Sequence, residues 1–219
     1  MRLRSILLPI STTGPRDFLE RLAQLLLGLF LFGAGMALMV RAGIGVAPWD
    51  VLAVGLVQTT GLGFGLITSL VAGVVLLLWI PLRQRVGIGT VLNALLVGPS
   101  AEVTLAVVPA APSAWVGVPL FLVGLVLLAF ASGLYISAGF GPGPRDGLMT
   151  GLVARTGKPV WLVRTALEGG VLVSGFLLGG PVGLGTVVFA FGVGPLIGWF
   201  LGAFTRRRAS RTPARMPVE

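Results

Sequence analysis

The chain has no cysteine and no histidine, and only 11% of its 219 residues are charged. The first two absences exclude disulfides, Cys/His zinc sites, thiol nucleophiles, haem ligation through histidine and any catalytic triad built on histidine. The third is broader. A soluble globular domain carries about 25% charged residues, so less than half that share argues strongly against a soluble enzyme. Disorder is excluded too, because disordered chains are poor in apolar residues and this one is 55% hydrophobic. Mean hydropathy is +1.00. These values predict an all-α polytopic membrane protein forming a single integral membrane domain over residues 1–219.

The net charge of +9 is not the footprint of a nucleic-acid partner, because of where the charge lies. Arg2, Arg4, Arg16 and Arg21 precede the first apolar stretch, and Arg206, Arg207, Arg208, Arg211 and Arg215 follow the last one. Basic flanks on apolar spans follow the positive-inside rule and suit anionic headgroups. The partner expected is the lipid bilayer, and no nucleic acid.

Residues 22–40 form the first long apolar run. At about 1.5 Å per residue they reach about 28 Å, enough to cross the hydrocarbon core. The run exceeds a signal-peptide core of about 7–15 residues, so it is expected to belong to the fold. Further spans are predicted at 64–82, 88–109, 116–138, 160–180 and 184–204, with shorter apolar pieces at 48–60 and 144–157. Residues 1–18 and 206–219 read as basic, loosely ordered tails.

The sequence repeats with a period of 96 residues. AGIGVAPWDVLAVGLVQTTG begins at Ala42 and AGFGPGPRDGLMTGLVARTG at Ala138. Gly43, Gly45, Pro48 and Asp50 match Gly139, Gly141, Pro144 and Asp146. The same offset aligns Gly87-Ile88-Gly89-Thr90 with Gly183-Leu184-Gly185-Thr186, and Gly98-Pro99 with Gly194-Pro195. Chance apolar similarity would match Leu and Val, but not Pro, Asp, Thr and Gly in constant register. The first repeat covers about 20–110 and the second about 116–205; such repeats underlie many transporter folds.

Each copy holds a span, a Gly-rich link, a short piece and two further spans. If the short piece does not cross, each copy has an odd number of crossings and the second copy is inverted. If it crosses, the copies are parallel. With the N-terminus inside and short pieces that do not cross, Arg83, Arg85, Arg145, Arg155 and Lys158 fall inside and only Arg41 falls outside. Crossing short pieces put Arg41, Arg83, Arg85 and Arg145 outside. The positive-inside rule favours the first arrangement. Length agrees, since thirteen residues from Pro48 make about 20 Å of helix against a core of about 30 Å. Six transmembrane helices are therefore predicted, N-in and C-in, as two inverted three-helix repeats, each with a short interrupted half-helix.

Paired Gly/Pro-interrupted segments at corresponding positions are the best sequence pointer to a transporter site. The candidate substrate- or ion-binding set is Gly43, Gly45, Pro48, Asp50, Gly139, Gly141, Pro144, Arg145, Asp146, Arg164 and Glu168. Proline suits the first turn of a helix, which puts Asp50 and Asp146 in first turns. Inversion would bring both N-termini toward the membrane midplane. Two roles fit the aspartates: capping free N–H groups, or serving as functional carboxylates for a cation, proton or amine. Arg145 fits neutralisation of Asp146, binding of an anionic group, or a cytoplasmic-side anchor. Arg164 and Glu168 are spaced i,i+4 and share a helix face, either as a structural pair or as part of a relay. Glu102 is expected near the outer interface, Asn93 in an interhelical hydrogen bond, and Trp79, Trp115 and Trp199 in aromatic belts at span ends.

The strings V-R-A-G-I-G-V-A-P-W-D-V-L, W-I-P-L-R-Q-R-V-G-I-G-T, G-P-G-P-R-D-G-L-M-T-G-L and L-V-R-T-A-L-E resemble the YczE/YyaS/YitT group of bacterial integral membrane proteins, most closely the YczE type, over about residues 20–200. Val46-Ala47 departs from the more glycine-rich form of the motif. The resemblance implies a multi-pass protein of the bacterial inner (plasma) membrane and supplies no catalytic residues.

The function expected is a secondary transporter or permease for a small solute. The alternatives are a non-transporting scaffold or regulator, and a substrate-binding subunit serving a separate ATPase. The chain has no G-x-x-x-x-G-K-[ST] loop of its own. No enzyme activity is expected, because no nucleophile–base pair is visible. No cofactor or metal is expected, and a homodimer is compatible with the sequence but not demanded by it.

Overall fold

The computed structural model describes residues 14–209. The tails at 1–13 and 210–219, with Arg2, Arg4, Arg211 and Arg215, lie outside the described residues. Among the described residues eight helices follow one another: α1 (Pro15–Ala42), α2 (Pro48–Thr60), α3 (Phe64–Leu82), α4 (Ile88–Val107), α5 (Ala114–Ser137), α6 (Pro144–Thr156), α7 (Val160–Leu177) and α8 (Leu184–Ala209). Six of them, all but α2 and α6, are long and apolar enough to cross a membrane.

α1 starts earlier than the expected position 22, inside the segment read as a tail. Pro15 occupies its first turn, Asp17 follows, and Asp17 pairs with Arg21 one turn on at 3.5 Å. Proline preset for helix and a carboxylate near the positive end of the dipole extend the helix beyond its apolar run. α8 likewise runs past 204 into the basic segment.

α1 and α5 form the central pair, and they run antiparallel. Arg21 donates from Nε to the Ala138 carbonyl at 2.9 Å, and Gln24 donates to Leu134 O at 2.8 Å and to Ser137 Oγ at 2.7 Å. Further along, Gly28 meets Tyr135, Gly35 meets Gly124, and Gly117 packs on the Ala42 carbonyl. Small residues let the two backbones approach closely. α4 packs on α1 through Gly33, which lies against Val97 and Ala101, and α8 packs on α5 through Gly133, which lies against Phe200 and Leu201. The core of Leu25, Leu29, Met36, Phe121, Leu125 and Leu128 fills the centre. Lipid-facing residues such as Leu77, Ile80, Val107 and Phe191 stay exposed.

Arg41, the basic residue that the expected topology leaves on the outer side, has a structural task. Its Nη2 donates to the Leu105 carbonyl, so its charge sits on the negative C-terminal end of α4.

The Gly-rich links dock reciprocally, with contacts separated by the repeat offset. Gly185 N–H donates to Ile44 O at 2.8 Å, and Gly89 N–H donates to Phe140 O at 2.9 Å. Gly45 packs against Gly183 and Thr186, and Gly141 packs against Gly87 and Thr90. Each link therefore sits on the N-terminus of the last helix of the other half. Gly45 has φ 107° and Gly141 has φ 117°, a region closed to residues with a β-carbon.

Alanine at either position would meet both that backbone strain and the facing backbone. Gly45→Ala and Gly141→Ala are each expected to cost about 1–3 kcal/mol. Each lowers the thermal unfolding midpoint measured in detergent. Gly73→Ala, where a β-carbon would meet open space, leaves the midpoint unchanged or slightly raised, because alanine is the better helix former.

Candidate functional site

The two short helices start at Pro48 and Pro144, each at the first helical position. α2 lies along the C-terminal part of α7, with Gly175 against Leu52 and Gly179 against Gln58. α6 lies along the C-terminal part of α3, with Gly147 under the Trp79 indole and Gly151 against Gln84. The two N-termini meet. Arg145 Nη1 lies 3.5 Å from Asp50 Oδ1, and the Arg145 guanidinium sits over the Trp49 ring at 5.1 Å from its centroid. Asp146 Oδ2 accepts a hydrogen bond from Tyr135 OH at 3.1 Å.

These contacts change two sequence readings. Arg145 pairs with the aspartate of the other repeat rather than with its neighbour Asp146, because consecutive first-turn residues point to different faces of the helix. The side-chain bonds of Asp50 and Asp146 run to Arg145 and Tyr135, so capping of backbone N–H groups is not their contact. The positions still gain from the positive end of each helix dipole.

A partly open cavity of about 240 Å³ lies at this meeting point. Of the residues singled out in the sequence, Pro48, Pro144, Arg145, Asp146, Arg164 and Glu168 line it. Asp50 stands behind the wall, fully buried, with Oδ2 lacking a hydrogen-bond partner. Gly43, Gly45, Gly139 and Gly141 belong to the supporting links and are not part of the lining. Arg164 Nε and Glu168 Oε1 form the expected i,i+4 ion pair at 2.8 Å. Their repeat equivalents Thr68 and Ala72 line the opposing wall on α3. Thr68 is buried and its hydroxyl has no partner.

Among the lining residues that escaped the sequence reading of the site, Tyr135, Trp49 and Asn93 carry polar groups or stacking contacts that matter here. Tyr135 sits within a largely apolar span, and its contact with Asp146 is made by the fold. Trp49 was visible beside Asp50, but its stacking on Arg145 required the two halves to meet. Asn93 also lines the cavity. Trp79 corrects an expectation: it is buried, not part of an interfacial belt, and its Nε1 donates to the Pro144 carbonyl at 3.0 Å. Its ring fills the space left by Gly147, and its N–H serves a backbone acceptor at the start of α6. Trp115 and Trp199 are exposed, as a belt requires. Glu102 is exposed as expected and accepts from Gly65 N–H at 2.6 Å, so its carboxylate caps the start of α3.

The cross-repeat ion pair yields a test. Asp50→Asn and Arg145→Gln each leave one buried or half-buried charge without its partner, and each is expected to destabilise the fold. The double variant recovers part of the loss. A double-mutant cycle on unfolding in detergent is expected to return a coupling energy of about 1 kcal/mol or more. Additive losses would mean that the two groups do not interact.

The comparisons with known proteins agree with the membrane fold. The family of unknown function DUF6198 matches residues 19–202. An uncharacterised protein of Haemophilus influenzae is 39% identical over 188 residues, covering 85% of this chain and 86% of its own. The uncharacterised membrane protein YczE of Bacillus subtilis is 32% identical over 201 residues, covering 87% of this chain and 93% of its own. The uncharacterised protein YyaS of the same organism is 25% identical over 189 residues, covering 84% and 94%. No solved structure matches the chain significantly. Six spanning helices, the paired half-helices and these relatives lead to one assignment: the chain is a multi-pass membrane protein belonging to the family DUF6198.

Proposed function

We propose that the protein is a secondary transporter or permease for a small solute, built as two inverted halves with the N- and C-termini on the cytoplasmic side of the bacterial inner membrane. The observation that carries the reading is the partly open, charged cavity where the first turns of α2 and α6 meet, with an ion pair between the repeats at its wall. Half-helix N-termini directed at a midplane cavity are a recurrent transporter device. The antiparallel run of the equivalent helices α1 and α5 supports inversion. The distribution of charge supports the orientation: Arg16, Arg21, Arg83, Arg85, Arg155 and Lys158 collect at one end, while Arg41 at the other caps α4.

A difference between the halves supports a moving part. α3 and α4 are closed on one another, with Gly65 against Gly98 and Glu102 bonded to Gly65 N–H. At the equivalent positions the second half has Trp161, Gly194 and Gly198. A β-carbon at Gly194 or Gly198 would touch nothing, and Trp161 is exposed. α7 therefore stands off α8, and both helices line the cavity. Alternating access would close this seam and open the α3–α4 seam, a shear between packed helices.

The first test is topology, and the absence of native cysteine provides a clean background. Single cysteines replace Gly63, Gln84, Ser113, Lys158 and Pro181, and intact cells are treated with an impermeant maleimide. Labelling at 63, 113 and 181 but not at 84 or 158 is expected. Labelling at 84 with protection at 63 and 113 would mean parallel halves and would remove the midplane site.

A further inference from the structure

The cavity and the wall directly behind it hold a charge imbalance. Three carboxylates (Asp146 and Glu168 in the lining, Asp50 behind Arg145) stand against two guanidiniums (Arg145 and Arg164). Arg145 is held by Asp50 at 3.5 Å and by the Trp49 ring, and Arg164 is held by Glu168 at 2.8 Å. Among the described residues Asp146 forms no salt bridge; its side-chain partner is the neutral Tyr135 hydroxyl. It is also the accessible member of the aspartate pair: Asp50 is fully buried, while Asp146 is exposed and lines the cavity. A carboxylate at membrane depth outside any ion pair is costly, and Arg145 and Arg164, committed to Asp50 and Glu168, offset its charge only in part.

We infer that Asp146 is a binding residue at which a small organic cation with a partly apolar body exchanges for a proton. The inference deepens the reading of the cavity as a solute site and rests on it. The ligand class follows from the walls. Both guanidiniums already face a carboxylate, so an anion would have to compete with Asp50, Glu168 and Asp146 for them. Leu128, Phe189, Val193 and Ile197 line the same cavity. A bare hard cation takes about six or more oxygen ligands, and these walls offer mainly carbon. An ammonium head on Asp146 with an apolar body against α5 and α8 matches both halves of the lining. The volume of about 240 Å³ equals about eight waters at about 30 Å³ each, the scale of one small organic molecule.

The exchange balances. In the empty site Asp146 carries the proton. On binding, its O–H bond breaks, the proton goes to bulk water, and the carboxylate pairs with the cation, so the charge of the site is the same in both loaded states. No bond of the solute changes. The titratable and charged groups facing Asp146 are Tyr135 on α5, Arg145 on α6, Arg164 and Glu168 on α7, and Asp50 on α2 behind Arg145. Asn93 on α4, Thr68 on α3 and the α8 residues do not titrate.

The test uses the full-length protein purified in detergent and the permanently charged probe benzyltrimethylammonium chloride, which carries no proton of its own. Calorimetric titration in two buffers of different ionisation enthalpy counts the protons exchanged. Binding is expected to release up to one proton per chain and to tighten as pH rises from about 5 to about 8, because the proton is the competitor. Asp146→Asn, which keeps the shape and an acceptor for Tyr135, is expected to weaken binding at least about tenfold and to abolish proton release; Asp146→Glu restores both in part. The thermal midpoint of each variant separates loss of the site from loss of the fold. The inference is overturned if the wild-type protein does not bind the probe, if binding is pH-independent and releases no proton, if Asp146→Asn binds equally well, or if sodium chloride alone displaces the same proton. Binding in detergent requires no flux and no particular topology, so these failures are distinguishable from failure of the transporter reading.

Discussion

Every polar backbone group inside a bilayer must find its partner within the protein, because hydrocarbon offers none. That constraint organises this molecule. The links at residues 43–47 and 139–143 are non-helical, and each would be prohibitively costly if exposed to lipid. Both are docked on the N-terminus of a long helix from the other half, through Gly185 N–H to Ile44 O and Gly89 N–H to Phe140 O. A link thus finds a donor, and a helix start finds an acceptor for one of its free N–H groups. The glycines on both sides of each contact bring the backbones close enough for this. Because each half completes the other, the halves cannot separate without exposing both links.

With the links fixed, the short helices are fixed too. Pro48 and Pro144 begin α2 and α6 where the links end, and the first turns meet across the repeat boundary. The charge pattern then follows from small differences between copies. Trp49 in one copy and Arg145 in the other allow a cation to stack on an aromatic ring and pair with Asp50. Thr68 and Ala72 in one copy become Arg164 and Glu168 in the other, so one wall of the cavity is nearly neutral and the other carries an ion pair. The seams differ for the same kind of reason. Gly65 and Glu102 close α3 on α4, whereas Trp161 and Gly198 provide neither the small surface nor the cap.

Much of the architecture was legible from residue order. Apolar runs long enough to span, punctuated by Gly and Pro, placed α3 and the start of α4 at the positions later observed, and Pro48–Thr60 matched the short helix. The ends of α1 and α8 were not legible, because first-turn proline, an i,i+4 pair and continuing backbone hydrogen bonds carry a helix beyond its apolar stretch. The candidate site was legible as a pair of motifs. The repeat marked Asp50 and Asp146 as equivalent, and periodicity put Arg164 and Glu168 on one face.

The sequence by itself determined which of the described helices are long and apolar enough to span, the repeat, the two half-helix starts and the local ion pair, because all of these depend on hydropathy, backbone chemistry or spacing along the chain. Tertiary structure decided which aspartate Arg145 meets, that Tyr135 serves Asp146, that Trp79 is buried under Gly147, and that the two aspartates differ, one buried and paired, the other open to the cavity. Those contacts join residues far apart in the chain. Their partners are selected by how close the glycine-lined backbones approach, which no local pattern of residues encodes.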